Sequence, residues 1–137
     1  MAGGERITNQ TTGIQNSAGA IARGSLVCHG GTGAASNPQL VIISTANLTL
    51  PAGIAIEASP GQDKPFLLAQ TGDVVKAKVG SAGATQGAFV ESDASGLAVD
   101  STAGAAHNTF GRFLETGVSG DFVLVAVHCQ KITTVAP

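Results

Sequence analysis

The chain has 137 residues, enough for one domain whose core needs no metal or disulfide to fold. Charged residues make up 12% and the formal net charge is −2, with seven Lys and Arg spread thinly, which argues against the concentrated basic surface of a nucleic-acid binder. There is no Trp, no Tyr and only five Phe, and the apolar remainder of Val, Ile, Leu and Ala suits a small-residue β core rather than a charged amphipathic helix.

Residues 1–20 read as a polar N-terminal arm, extended or disordered when free, with Ile7 and Ile14 as isolated apolar points. The opening stretch MAGGERITNQTTG has no apolar core of the signal-peptide type, and no apolar run reaches transmembrane length. Synthesis in a cytoplasm and no membrane contact are expected. The domain proper is expected over 21–129, with 130–137 as a C-terminal tail.

Short extended segments then alternate with turn chemistry. Ser25–His29 and the β-branched Gln39–Ser44 are strand candidates, separated by a Gly30-Gly31-Thr32-Gly33 loop. Ala46–Leu50 reads as a helical or irregular link stopped by Pro51. Ile54–Glu57, Phe66–Gln70 and Val74–Val79 follow as strands, with turns at Ser59-Pro60-Gly61 and Thr71-Gly72-Asp73. Ala88–Ser92 and Leu97–Asp100 flank Asp93-Ala94-Ser95-Gly96, a hairpin connection. Phe113–Glu115 and Phe122–His128 complete the set, and helix is left open only around Ala103–Asn108. So many short strands with frequent turns point to an all-β barrel or sandwich.

The chain also repeats itself. Gly24-Ser-Leu-Val27 has a counterpart in Gly87-Ala-Phe-Val90, and Gly53-Ile-Ala-Ile-Glu57 in Gly111-Arg-Phe-Leu-Glu115. Each half reads as a Gly-led strand, a turn, a strand, then Gly-x-x-x-Glu, a turn and a strand led by Phe66 or Phe122. Two related β-units closing on each other around one core explain this, because neither half buries its apolar face alone. The repeated glycines suit chain reversals at positive φ, and Glu57 and Glu115 read as carboxylates where a strand ends and meets water.

Chemistry is sparse. Cys28-His29 and His128-Cys129 tempt a zinc reading, but neighbours on a strand point to opposite faces, and structural zinc ligands come in pairs with intervening residues. Two small buried thiols and two surface or rim histidines are the expectation, with a Cys28–Cys129 disulfide disfavoured in a cytoplasm. His107 sits in a loop-like Gly104-Ala-Ala-His-Asn setting, and there is no Gly-x-Ser-x-Gly elbow. Gly30-Gly31-Thr32-Gly33 lacks the Lys-Ser/Thr ending of a phosphate loop. Asp63, Asp73, Asp93, Asp100 and Asp121 mostly lie beside Gly or Ser, the ordinary setting of turn aspartates. No enzyme, metal or cofactor is expected.

The ordered series Gly24-Ser-Leu-Val, Gly53…Glu57 and Gly72-Asp-Val-Val, repeated as Gly87-Ala-Phe-Val, Gly111…Glu115 and Gly120-Asp-Phe-Val-Leu-Val, resembles the capsid decoration or cement proteins of tailed bacteriophages. The resemblance covers about residues 20–128 and rests on Gly, Val and Glu positions, not on a catalytic signature. It implies a small β-tulip-like barrel seated as a homotrimer on the outside of an expanded icosahedral head, clamping neighbouring major-capsid subunits. It also implies an arm that orders on the shell, here Ile7-Thr8-Asn9-Gln10-Thr11-Thr12-Gly13-Ile14, whose backbone can add to an exposed capsid edge. The alternative is a β-barrel binding module whose exposed loops recognise a glycan or host surface.

Overall fold

A computed structural model describes residues 14–17, 20–29, 40–43, 51–59, 61, 65–101 and 107–132. Among these the protein is all-β. Ten strands run in chain order: β1 (Ile14–Ser17), β2 (Leu26–His29), β3 (Leu40–Ile43), β4 (Pro51–Ala55), β5 (Pro65–Ala69), β6 (Val74–Lys78), β7 (Phe89–Ser92), β8 (Ala98–Asp100), β9 (His107–Phe113) and β10 (Phe122–Ile132).

The first five strands form a ring in the order β1-β3-β2-β4-β5, closed because β1 pairs in parallel with β3 and antiparallel with β5. The other five form a sheet in the order β6-β10-β9-β7-β8, whose ends meet at a parallel bridge between Val79 and Ala98. The sequence repeat is thus a repeat of one five-stranded unit. Val27 opposes Gly53 as Val90 opposes Gly111, and Ala55 opposes Leu68 as Phe113 opposes Val125. The two-bond bridge between Ile21 and Ser59 recurs between Ala84 and Gly117. The strand leading each unit is the partner of its last: β1 lies on β5 as β6 lies on β10.

Alternation along β10 shows why these residues make strands. Val123, Val125 and Val127 point inward and are buried, whereas Phe122, Leu124, Ala126 and His128 face out and are less covered. The first unit's core is Ile21, Val27, Ala52, Ala55, Phe66 and Leu68. Position for position, its counterpart is Ala84, Val90, Phe110, Phe113, Val123 and Val125. Large and small residues trade places between the two, as when Ala52 and Ala55 match Phe110 and Phe113. Each unit therefore fills a similar volume by its own combination. The second core is continuous with Leu26, Ile54 and Ala69 of the first unit, which joins the halves into one body.

Several sequence expectations need correction. The first unit closes as a ring and the second is a five-stranded sheet, and in place of one core there are two buried clusters, the larger of which takes in residues of both units. Residues 14–17, assigned to a free arm, are β1 and complete the first ring. Pro51 opens β4, where a strand's first residue can lack an N–H, and the expected Ala46–Leu50 link before it lies outside the described residues. The Ile54–Glu57 strand is shifted to Pro51–Ala55, and Phe113–Glu115 to His107–Phe113, which also puts His107 and Asn108 in a strand. Gln130–Ile132 belong to β10, paired with Thr109, Asn108 and His107, and not to a tail. Phe66 and Phe122 are not equivalent: pairing aligns Leu68 with Val125, so Phe66 matches the inward Val123 and Phe122 faces outward. Gly72 leads into β6 but Gly120 into β10, so these two Gly-Asp turns share chemistry and not place.

Candidate interaction surface

The repeated glycines and glutamates form the same corner twice. A β-carbon on Gly53 would stand 2.0 Å from the Ala69 carbonyl oxygen, and one on Gly111 would stand 2.0 Å from that of Ala126. The glycine lets two strands cross closer than any side chain permits. Four residues on, Glu57 accepts a hydrogen bond from the Leu67 N–H at 3.0 Å, and Glu115 accepts one from the Leu124 N–H at 2.7 Å. The carbonyls of the same leucines accept from the Ile56 and Leu114 N–H groups, at 3.1 and 2.8 Å. A strand-end carboxylate thus substitutes for a missing ladder partner. The expected surface charge is a structural clamp in both units.

The turn aspartates act in the same way. The Gln70 N–H donates to Asp73 Oδ2 and the Val118 N–H to Asp121 Oδ2, each at 3.0 Å, tightening the two Gly-Asp turns. Asp93 Oδ1 accepts from the Ser95 and Leu97 N–H groups in the expected hairpin. Asp100 holds the backbone N–H and hydroxyl of Thr85.

The joint between the units is one-sided. Arg23 lies over the Phe122 ring at 5.1 Å, and the N–H groups of Lys78 and Leu26 donate to Gly24 and Gly96 carbonyls at 3.0 and 2.8 Å. A β-carbon on Gly24 would meet Phe122 at 2.8 Å, whereas one on its counterpart Gly87 would meet nothing within 4 Å. Leu26, Ile54 and Ala69, on the outer face of the first unit, are wholly buried at the joint. Their counterparts Phe89, Arg112 and Ala126 remain at the surface. Leu114, the counterpart of Ile56, is 42% exposed.

On this open face lies a groove of about 330 Å³, lined by Thr71, Gly72, Gly111, Arg112, Ala126 and His128 among others. Arg112 is held over the Phe89 ring at 4.1 Å and donates from Nη1 to the Gly87 carbonyl at 3.1 Å. Its charge is therefore held in a fixed orientation by the ring and the carbonyl. Beneath the groove's edge the Cys129 N–H donates to Thr71 Oγ1 at 3.1 Å. Burial pushes the Cys129 thiol up from 9.0 to about 12, against a smaller lowering by its hydrogen bond with Thr71.

Cys28 is buried and His29 exposed, while His128 is exposed and Cys129 half-buried, so each pair divides between two faces as strand geometry demands. Both cysteines are free thiols. Among the described residues no three His, Cys, Asp or Glu side chains gather as a metal-holding group. Gly24, Gly53, Gly87 and Gly111 all carry positive φ, at 83°, 156°, 86° and 141°. Of the arm, Ile7, Thr8, Asn9, Gln10, Thr11, Thr12 and Gly13 lie outside the described residues, and Ile14 opens β1 opposite Leu67. Asp63 and the Gly30–Gly33 loop lie outside them as well. Sequence reasoning passed over Arg112, Phe89 and the Arg23–Phe122 stack. The signal was there in the repeat: Ile54 in one unit corresponds to Arg112 in the other. Compared with protein-family models the chain matches none, and compared with curated proteins it matches none.

Proposed function

We propose that this chain is a structural phage-head decoration protein. It binds the outside of an expanded icosahedral capsid as a homotrimer and clamps neighbouring major-capsid subunits. The observation that carries the reading is the doubled Gly-x-x-x-Glu corner. The glycine and glutamate positions on which the resemblance to cement proteins rests are spent, in both units, on strand crossings and backbone clamps. They suit a protein whose work is mechanical. Several weak contacts made at once by an oligomer add up to firm attachment. The arm residues Ile7 to Gly13 join this body at Ile14, the first residue of β1, and are the segment proposed to order on the shell.

Co-sedimentation with empty expanded heads of the cognate major capsid protein tests the reading. Full-length protein is compared with a version lacking residues 1–13, a cut that spares β1. Saturable pelleting, lost on truncation, is expected. Pelleting that survives truncation moves the contact from the arm to the β-units. No pelleting at any concentration overturns the reading and puts a glycan-recognising β module first.

A further inference from the structure

The two units present the same outer face, and only one of these faces is covered. In the first unit, Leu26, Ile54 and Ala69 are wholly buried and Ile56 packs on the shared core, because the second unit sits on them. In the second unit, the matching Phe89, Arg112, Ala126 and Leu114 are half-buried or exposed. The packing is head-to-tail: were it two-fold, both faces would be buried together. A head-to-tail joint always leaves one such face open at the end of the series.

From this asymmetry we infer that the open face around Phe89, Arg112, Leu114 and Ala126 is the docking surface for the first unit of a second copy of this chain. The contact repeats between copies the joint already made within one. The occupant follows from the repeat. On the first unit this face is covered by the next unit in the series, and beyond the second unit the next in series is the first unit of another copy. The composition agrees. Phe89, Ala126 and Leu114, three of the four positions, supply apolar surface on a face that also carries the polar Thr71 and His128. The fourth, Arg112, has its guanidinium stacked on Phe89 and bonded to the Gly87 carbonyl, an arrangement compatible with burial in an interface. Successive head-to-tail contacts close into a ring when the rotation per step allows it.

This inference deepens the self-assembly in the proposed function, but its test needs no capsid, so either can fail alone. Sedimentation equilibrium of the full chain is measured up to about 200 micromolar, a range in which contacts of ordinary size are populated. It is repeated for Leu114→Glu and for Val118→Glu. Val118 is 69% exposed on the turn before β10, is not one of the four positions of the proposed face, and serves as the control for an added surface charge. Thermal melts of both variants establish that they fold. The expected result is association of the parent chain and of Val118→Glu, with Leu114→Glu reduced at least tenfold in association constant. A parent chain that stays at 13.5 kDa throughout overturns the inference. So does a folded Leu114→Glu variant that associates like the parent, or a Val118→Glu variant that loses association equally.

Discussion

The Leu124 N–H donates to Glu115 Oε1 at 2.7 Å, from one strand back to the corner that precedes it. Replacing Glu115 with Ala leaves that N–H to water and removes a charge-assisted bond at an exposed site. The expected loss is about 1 kcal/mol. Glu115→Gln keeps an acceptor and loses less. Chemical denaturation of the two variants checks the order, and Glu57→Ala is expected to behave like Glu115→Ala.

The corner glycines are more demanding. In Gly111→Ala the new methyl would overlap the Ala126 carbonyl, which is backbone and cannot rotate away. A loss above about 3 kcal/mol is expected, and the same holds for Gly53→Ala. Gly87→Ala meets nothing within 4 Å and carries only the strain of its φ of 86°. That strain amounts to about 1 kcal/mol. Urea midpoints of the three variants separate steric overlap from backbone strain.

Truncation separates arm from ring. Removing residues 1–13 spares β1, and the melting temperature is expected to stay within a few degrees of the parent. Removing residues 1–17 takes away the strand between β3 and β5 and opens the first ring. A large drop, or aggregation through the freed edges of β3 and β5, is expected. Differential scanning fluorimetry of both truncations gives the answer.

Cys129 makes stability depend on alkaline pH. Its folded pKa is raised from 9.0 to about 12, so the folded chain holds the thiol proton more tightly than the unfolded one. Below pH 9 the group has no pH effect. As pH rises from 9 toward 12 the unfolded chain loses this proton first and stability falls, by at most about 1.4 kcal/mol per pH unit. Denaturation midpoints at pH 8 and pH 11 are expected to diverge in the parent chain and to converge partly in Cys129→Ser.

Strands and turns were largely legible because their signals are local. The β-branched run at Leu40–Ile43 and the Asp93–Gly96 hairpin lie where pattern and turn chemistry put them. What sequence misplaced depended on pairing. Phe66 and Phe122 look equivalent because each leads an apolar run after a Gly-bearing turn, but strand register shifts them by one position and so onto opposite faces. That a strand begins on Pro51 was missed because nothing local to the residue says so. Burial at the joint was the least legible, since Leu26 and Phe89 have similar hydrophobicity and differ only in whether another unit covers them.

The position of β10 sets an order on how this molecule comes into being. β10 is the last strand in chain order, yet it lies between β6 and β9 inside its sheet. The first unit has all five of its strands once residue 69 has been made. The second must hold β6 to β9 without their central partner until residues 122–132 arrive. During synthesis the first unit can therefore close while the rest is still being translated, and can serve as the surface on which the second assembles. A release of the chain before residue 122 would yield a finished first unit attached to strands that have no sheet to join.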